Sequence, residues 1–358
     1  HESFFVLCQI LFSYGYFIWL EERSRRALAY MTIGFFASIA LKETFFIFFG
    51  TWAIAIFCGR SVAKLRRERL PAMEKTDDEP EGKVGFWSQP ASANDRVVAI
   101  IIGIWFLLLI FTGFFLNNRG FHDMFTAFAV WSKTGTGHSG HEKPFTYWLD
   151  LLWRYEWPSL VGLALALPIA WYLPYRQKIL AFTAFGTCLG YSLIPYKTPW
   201  LILNLIWPLS LSFGIGVEWL RTAKGGATAR GLALVALATT GWSAYKLSFK
   251  EFTNEREAYV YVQSTQQMKV AVDTIESHVR VRPEDFNMKL MVLVRDPWPL
   301  PWIFGLYPGL VYGKPKDADM KKADVVMVDG SDQGLTEARL TSKHRRLTYK
   351  VHDSYEAG

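Results

Sequence analysis

Eight apolar runs, each close to the length of a helix that crosses a bilayer, occupy the first 250 residues of the chain. Runs of this length and composition predict transmembrane helices. They cover residues 3–20, 27–41, 44–58, 97–116, 159–173, 179–196, 200–217 and 231–245. We therefore predict an α-helical polytopic membrane domain over residues 1–250, with about eight spans.

After Tyr245 the pattern changes to short apolar runs separated by polar residues. Residues 259–263, 289–294 and 325–328, and more weakly 346–351, have the short apolar or alternating pattern of β-strands. Residues 268–279 repeat apolar side chains at helical spacing. Strand, helix and strand in this order predict a small soluble α/β domain over residues 251–358, with a partly parallel sheet.

The cations of the connecting segments fall unevenly on alternate sides of the predicted spans, so their placement matters more than the formal net charge of +7. The richer side holds Arg23, Arg25, Arg26, Arg60, Lys64, Arg66, Arg67, Arg69, Arg176, Lys178, Arg221, Lys224 and Arg230. Because cytoplasmic loops carry an excess of Lys and Arg, we place this side in the cytoplasm. The linker 71–96 is then cytoplasmic, whereas the loop 117–158 and the domain 251–358 are extracytoplasmic. This pattern predicts a multi-pass protein of the cytoplasmic (inner) membrane.

Lys197 interrupts an almost wholly apolar stretch, in the segment PYKTPW at 195–200. The flanking prolines break the helix there and expose backbone groups without partners. A lone cation at the boundary of two spans is typical of a group that binds an anion or a carboxylate. A snorkelling lysine that only marks the membrane edge explains the same pattern. The sequence favours neither interpretation.

The outer loop 117–158 has a pattern of its own. Helical spacing over 122–133 predicts a helix lying in the interface, and 134–140 is rich in Gly, Ser, Thr and His and is expected to be mobile. An aromatic helix is expected to follow through Tyr147 to Trp157. Trp and Tyr belong at the headgroup level, so this loop is an interfacial anchor or a cover that closes over a lipid-borne substrate.

Two further features bear on candidate chemistry. His122, His138 and His141 are not joined by a carboxylate or cysteine at a recognised spacing, so we expect no metal site. Three prolines make the segment DPWPLPW at 296–302 a rigid turn that displays Trp298 and Trp302. Such a surface suits carbohydrate binding or packing against the membrane domain.

Several of these segments together resemble one group of membrane enzymes. The segment HEKPFTYW at 141–148 is similar to the His–x–x–Pro–Phe–x–Tyr–Tyr element of the protein O-mannosyltransferase and lipid A aminoarabinose transferase superfamily. LKE at 41–43 is similar to that superfamily's Thr-Lys-Gly/Glu element at the outer end of a span, and PYKTPW at 195–200 resembles its Lys-Leu-Pro element before a late span. The closest resemblance is to a family described as flippase-activity-associated membrane proteins, in which an outer His-Glu pair, PYKTPW and a later WPLPW occur together.

The resemblance implies a GT-C glycosyltransferase fold, whose enzymes transfer sugar from a polyprenyl-phosphate donor at the outer membrane face without nucleotide or metal. In these enzymes a carboxylate base deprotonates the acceptor, which is a protein, a glycan or a lipid. The acceptor then attacks the anomeric carbon of the sugar and inverts its configuration. No cofactor and no nucleic-acid partner are expected, and membrane lipid and other subunits of a membrane complex are possible partners. The family's catalytic aspartate would precede His1, so the catalytic residue is unknown here. The implied site residues are Lys197, Lys42 and Tyr196 for the donor phosphate, His141, Lys143 and Tyr147 for the substrate loop, and His1, Glu2, Trp298 and Trp302 at the outer face.

Three other interpretations remain open at this point. The chain could be a non-catalytic membrane subunit that binds lipid or partners, a flippase or transporter, or a structural member of a larger assembly. The sequence carries no evident inverted repeat of the kind that transporters use. The chain opens on His1-Glu2 at the start of a helix, so we expect sequence upstream of it.

Overall fold

Helices account for most of the computed structural model, which describes residues 1–68, 85–136, 142–254, 256–260, 266–295, 297–314, 320–340 and 344–349. The chain divides into a first unit, His1–Lys246, and a second unit that begins at Leu247. Each is considered by itself. The α-helices of the first unit's described residues are α1 Glu2–Glu22, α2 Arg25–Leu41, α3 Phe45–Leu65, α4 Ala93–Phe111, α5 Gly120–Thr136, α6 Tyr147–Tyr155, α7 Trp157–Ala170, α8 Tyr175–Leu193, α9 Leu203–Lys224 and α10 Gly226–Tyr245.

Each of the eight predicted apolar runs corresponds to one of these helices. Among the described residues, four helical segments are long and apolar enough to cross a membrane: Glu2–Glu22, Phe45–Leu65, Ala93–Phe111 and Pro199–Thr222. The other four predicted spans, α2, α7, α8 and α10, also form helices, but each is shorter or less apolar. The mostly helical architecture with membrane-length helices is therefore confirmed at that coarser level.

Small residues set how closely the helices of the first unit pack. The hairpin of α1 and α2 turns at Arg23, which lies in the left-handed region, and α2 starts at the N-cap Ser24. A Cβ on Gly34 would lie 2.6 Å from the carbonyl oxygen of Cys8, so only glycine fits at this crossing. Gly162 allows the same close approach between α7 and α9.

Aromatic side chains fill the core between α1, α3 and α8. Phe48 and Trp52 of α3 are buried against Tyr16 of α1 and Ile179 of α8. The Tyr16 and Trp52 rings meet edge to face at 5.7 Å between centroids. Edge-to-face pairs add to the stabilisation that burial of the rings already gives, so this cluster fixes the relative positions of the three helices.

The cation-rich helix ends of the first unit are joined by ion pairs. Lys178 at the start of α8 is fully buried and its ammonium lies 2.7 Å from a carboxylate oxygen of Glu68, just beyond α3. The Arg25 guanidinium lies 3.2 Å from a carboxylate oxygen of Asp95. Asp95 and Ser92 also form a capping box at the start of α4. Because of this cap α4 already begins at Ala93, so the predicted C-terminal end of the linker 71–96 is four residues too late. Residues 71–84 of that linker lie outside the described residues.

The second unit contains a three-stranded parallel sheet of order β2–β1–β3. Its elements are α11 Gln266–Val281, β1 Leu290–Val292, α12 Leu300–Phe304, β2 Leu310–Tyr312, β3 Val325–Met327 and α13 Gln333–Glu337. Leu290 and Val292 of the central strand pack with Met268 of α11 and Phe304 of α12. A strand-and-helix core with a parallel sheet was predicted, whereas β2 was not.

Two of the predicted strands are wrong over the residues that the structure describes. Tyr259 lies in a turn, and Val260 donates its N–H to the Glu257 carbonyl oxygen instead of joining a ladder. Residues 261–263 lie outside the described residues. Residues 346–349 form no strand, and the Arg346 guanidinium instead lies 2.9 Å from a Glu337 carboxylate oxygen. Residues 350 and 351 again lie outside the described residues.

Candidate functional site

Two segments about fifty residues apart in sequence meet at the break between α8 and α9. Glu142 and Tyr196 form an antiparallel bridge, and the Lys143 N–H donates to the Pro195 carbonyl oxygen at 3.0 Å. The break occurs because Pro195 cannot continue α8, which ends at Leu193. The two elements that carry the family resemblance, HEKPFTYW and PYKTPW, are therefore neighbours in the fold over their described residues.

Lys197 holds this pairing together from the inside. Its Nζ donates to the carbonyl oxygens of Lys143, at 3.1 Å, and Ile194, at 2.6 Å. The residue is only 1% exposed, and burial lowers the pKa of its ammonium. Among the described residues no carboxylate pairs with it. A snorkelling lysine would place its ammonium in solvent, so that interpretation does not fit. The geometry gives Lys197 a bridging role between two backbone segments.

A cavity of about 630 Å³ opens next to this break. Helix ends from α1, α2, α3 and α8, the break itself and one face of α5 form its wall. Among the described residues, the His, Lys, Asp and Glu side chains in the wall are His1, Lys42, Glu43 and Asp123. Apolar and aromatic side chains make up most of the remainder, including Ile47, Val130, Trp131, Tyr196, Trp200 and Leu201. A mostly apolar cavity with a few convergent polar groups is typical of a binding site for an amphipathic ligand.

Lys42 is the cation of this wall, and it is held by a buried carboxylate. Its ammonium directly contacts Glu2, whose other carboxylate oxygen accepts a hydrogen bond from the Asn204 side-chain amide at 3.0 Å. The Lys42 side chain is 10% exposed. Burial lowers the pKa of Lys42 to about 8, and the nearby Glu43 carboxylate opposes this shift. At pH 7 the ammonium is therefore still largely protonated, with the Glu2 carboxylate as its counter-ion.

The contact with Glu2 continues as a chain of buried polar side chains into the helical core. The Asn204 side-chain oxygen accepts a hydrogen bond from the Gln9 amide at 2.9 Å, and the Gln9 oxygen accepts one from the Trp207 indole at 2.8 Å. Buried polar groups that are fully hydrogen-bonded make a packing arrangement specific. This chain fixes α1 against α9 and so positions Glu2, and with it Lys42, at the cavity.

Helix α5 covers the cavity from one side. Asp123, Thr126, Ala127 and Val130 line it at helical spacing, so one face of the helix points inward. A Cβ on Gly120 would lie 1.8 Å from the Phe111 carbonyl oxygen, so α5 can begin this close to the end of α4 only with glycine. Ring contacts also join α5 to the start of α3, with centroids 5.8 Å apart for Phe45 and Phe128. The cover is thus fixed at two places.

No protein-family model, curated protein or solved structure matches the chain. The family resemblance therefore rests on the sequence segments quoted above, and function has to be argued from the cavity.

The remaining predicted site residues are placed as follows. Tyr147 begins α6, where its ring meets that of Trp148 at 5.0 Å, and the Trp148 indole donates to the Tyr191 carbonyl oxygen at 3.1 Å. His1 lines the cavity, and its Nε2 lies 3.3 Å from Glu2. His141 and the predicted mobile residues 137–140 lie outside the described residues, whereas 134–136 belong to α5.

Trp298 and Trp302 belong to the second unit, and both indoles are exposed, Trp302 by 85%. Leu300 and Phe304 point into the core of that unit, which leaves Trp302 on the outer side of α12. As for metals, no group of three His, Cys, Asp or Glu side chains within the described residues could hold an ion.

Three residues of the site escaped the sequence analysis: Gln9, Asn204 and Asp123. A signal was available for two of them, because Gln9 and Asn204 are polar amides inside otherwise apolar membrane-length helices. Polar groups at such positions are costly unless they find partners, so they indicate a buried network. Asp123 carried no comparable signal, since a charged residue on a helix between two spans is usually just solvated.

Proposed function

We propose that the chain is an integral membrane protein that binds a polyprenyl-phosphate-linked sugar in this cavity and transfers the sugar, with inversion, to an acceptor. The observation that carries the proposal is that Lys42 shares one cavity wall with carboxylates and with apolar and aromatic side chains. A lipid phosphate needs a cation and an apolar surface together. A phosphate that leaves with developing negative charge is stabilised by a fixed ammonium beside it.

The arrangement of the helix ends supports an extracytoplasmic site. The cavity lies at the start of α1 and α3 and at the end of α2 and α8, whereas the cation-rich ion pairs lie at the opposite ends of these helices. If the cation-rich ends face the cytoplasm, the cavity opens on the outer side. In this proposal the protein crosses the inner membrane several times and the second unit is extracytoplasmic.

Lys42 takes the donor phosphate in this proposal, and Lys197 does not. Lys42 lines the cavity and is paired with Glu2, while the ammonium of Lys197 is used by two carbonyl oxygens and Lys197 is not among the lining residues. Tyr196 and Trp200 supply aromatic surface next to it, which suits a sugar ring or the first isoprene units. A non-catalytic lipid-binding subunit would use the same cavity without transfer, so the test has to separate binding from transfer.

The test uses the full chain in lipid nanodiscs with a radiolabelled polyprenyl-phosphate hexose. Binding is measured directly, and transfer is measured as release of polyprenyl phosphate, which registers any acceptor including water. Lys42→Met is expected to weaken binding at least about tenfold, because it removes a charge-assisted contact. Lys64→Met is the matched control, since Lys64 is exposed at the opposite end of α3. Lys42→Arg keeps the charge and should retain part of the binding.

Removing Lys42 alone leaves Glu2 buried without its cation, so the variant could lose binding through instability. The double variant Glu2→Gln, Lys42→Met removes both charges and controls for this effect in a thermal melt. Binding that is unchanged in a folded Lys42→Met or double variant would contradict the proposal. Binding without release of polyprenyl phosphate in the wild type would favour the lipid-binding subunit instead.

A further inference from the structure

The second unit carries an exposed apolar surface that the proposed site does not use. Trp302 and Leu306 are 85% and 84% exposed, and Trp298 is exposed as well. These three residues follow one another at intervals of four around α12, so they lie about one helical turn apart on one side. The opposite side of α12 faces inward, because Leu300 and Phe304 pack with the central strand. We call the exposed set of Trp298, Trp302 and Leu306 the α12 surface.

The segment that forms the α12 surface lacks the groups that a sugar site needs. Residues 297–313 contain no charged, amide or imidazole side chain and no Ser or Thr. A sugar-binding site places hydrogen-bonding side chains beside its aromatic ring, because the sugar hydroxyls have to be satisfied. Apart from indole and phenol groups, this segment offers only its backbone. The segment therefore suits an apolar partner better than a carbohydrate.

The ends of this segment point to a lipid surface as that partner. Arg295 stands before it and Lys314 after it, and both side chains are exposed. Indole rings flanked by cations are typical of segments that lie at the level of lipid headgroups. The Arg295 guanidinium is partly balanced by Asp329, 3.9 Å away. Burial of the apolar side chains, more than charge, therefore has to supply the attachment.

The start of the second unit has the same combination of residues. Phe249 and Phe252 are exposed, and the exposed Lys250 lies between them. In the predicted topology α10 is the last membrane span, and the second unit begins at Leu247, directly after this helix. A unit tied this closely to a span stays at the bilayer surface. Contact between the α12 surface and lipid is then intramolecular in effect, so a small apolar area is sufficient.

Building on the membrane location in the proposed function, we propose that the α12 surface docks the second unit on the lipid bilayer. The Trp302 indole lies among the headgroups, which is the level that Trp prefers, and Leu306 reaches the boundary of the acyl chains. The docked unit has one face on the membrane and the other in water. A unit held in this way has a fixed orientation at the surface where a lipid-borne substrate is presented.

The test uses lipid quenching of a fluorescent dye on single cysteines, in the full chain without its native three cysteines. The nanodiscs contain lipids with a nitroxide either close to the headgroup or deep in the acyl chain. Dye on Leu306→Cys should lose at least about half of its fluorescence with the shallow nitroxide. Adding Trp302→Asp to this chain should remove most of that loss, because a carboxylate disfavours insertion. A thermal melt checks that this exposed substitution leaves the fold intact.

Ala338→Cys is the matched control within the same unit. Ala338 is exposed, and Leu340 just after it packs with Met291 and Leu293 on the other face of the sheet from α12. Its dye should be quenched by iodide in the water and not by either nitroxide lipid. Ile101→Cys, at an exposed position in the middle of α4, reports separately whether the first unit is in the membrane and should be quenched by the deep nitroxide.

The outcomes separate docking from the proposed function. If Ile101→Cys is not quenched by lipid, the proposed membrane location fails and docking fails with it. If Ile101→Cys is quenched while Leu306→Cys is reached only by iodide, the membrane location stands and docking is wrong. Protection of Leu306→Cys from both lipid and iodide would show that protein covers the α12 surface, which also overturns docking. Donor binding in the cavity is measured independently through the Lys42 variants.

Discussion

Lys197 provides a sharp test of the geometry, because the structure gives it a role different from the one that the family resemblance implies. The perturbation is Lys197→Met, which keeps the length of the side chain and removes the ammonium. Two hydrogen bonds are lost, to the carbonyl oxygens of Lys143 and Ile194. Hydrogen bonds from a charged donor contribute about 1.5–3 kcal/mol each to stability. Relief of the desolvation cost of a buried ammonium offsets part of this loss.

We expect the free energy of local opening to fall by about 2 kcal/mol. The effect should be confined to the pairing of residues 142–143 with 195–196. The Lys143 amide reports on it, because it donates to the Pro195 carbonyl oxygen across the pairing. Amide hydrogen exchange from a locally opened state follows the free energy of opening. At about 1.4 kcal/mol for each factor of ten, exchange in a peptide covering 142–147 should be about 30-fold faster in the variant.

The measurement is hydrogen exchange followed by mass spectrometry on the full chain in nanodiscs, with Lys64→Met as the control for removal of one lysine. Lys197→Met should also weaken donor binding much less than Lys42→Met does. Unchanged exchange over residues 142–147, together with a loss of donor binding as large as that of Lys42→Met, would refute the reasoning. Lys197 would then be a donor ligand and not a bridge between backbone segments.

Three further predictions concern packing, charge and topology. Gly162→Ala places a Cβ 2.1 Å from the Leu209 carbonyl oxygen, so the free energy of unfolding from a thermal melt should fall by about 1–3 kcal/mol. Gly241→Ala is the control: its Cβ has open space around it, so stability should not fall. Donor binding should be about tenfold weaker at pH 9 than at pH 7, because Lys42 has a pKa of about 8 and loses its proton over this range. The charge of the donor phosphodiester is constant over the same range. Donor binding that does not change between pH 7 and pH 9 would contradict a role for the Lys42 ammonium. Single cysteines at Gly85 and Gly330, in a background without the native three, should react with an impermeant reagent from opposite sides of the membrane, and labelling from one side would reject the proposed topology.

The helices of the first unit could be predicted because their information is local. An apolar run and the proline that ends it span only about twenty consecutive residues, and all eight runs have a helix at their position. The errors lie at the ends. The run at 97–116 became a helix from Ala93 to Phe111, because Ser92 and Asp95 cap it earlier than the apolar residues begin. That capping pair is itself readable from sequence, so this error was avoidable.

The candidate site could not be predicted in the same way, because its contacts are long-range. Glu2 meets Asn204 about two hundred positions later, and Lys143 meets Pro195 although α6, α7 and α8 lie between them in the chain. No periodicity encodes such pairs. For the same reason Lys42 and Lys197 looked equivalent in the sequence, while the structure shows one in a cavity wall and the other bound to two carbonyl oxygens. Two of the segments that carry the resemblance pair in the structure, and the roles that it implies for their residues stay predictions.

The central claim is that the cavity between α5 and the break after α8 is where a polyprenyl phosphate binds. A polyprenyl phosphate with a photoreactive group in its first isoprene unit tests it most directly, with the crosslinked peptides mapped by mass spectrometry. We expect crosslinks within residues 42–47 and 123–131, the segments that contribute most of the cavity's lining residues, and competition by unlabelled polyprenyl-phosphate hexose. Crosslinks that instead fall on the exposed apolar side of α4, around Ile101 and Trp105, and resist competition would contradict the claim.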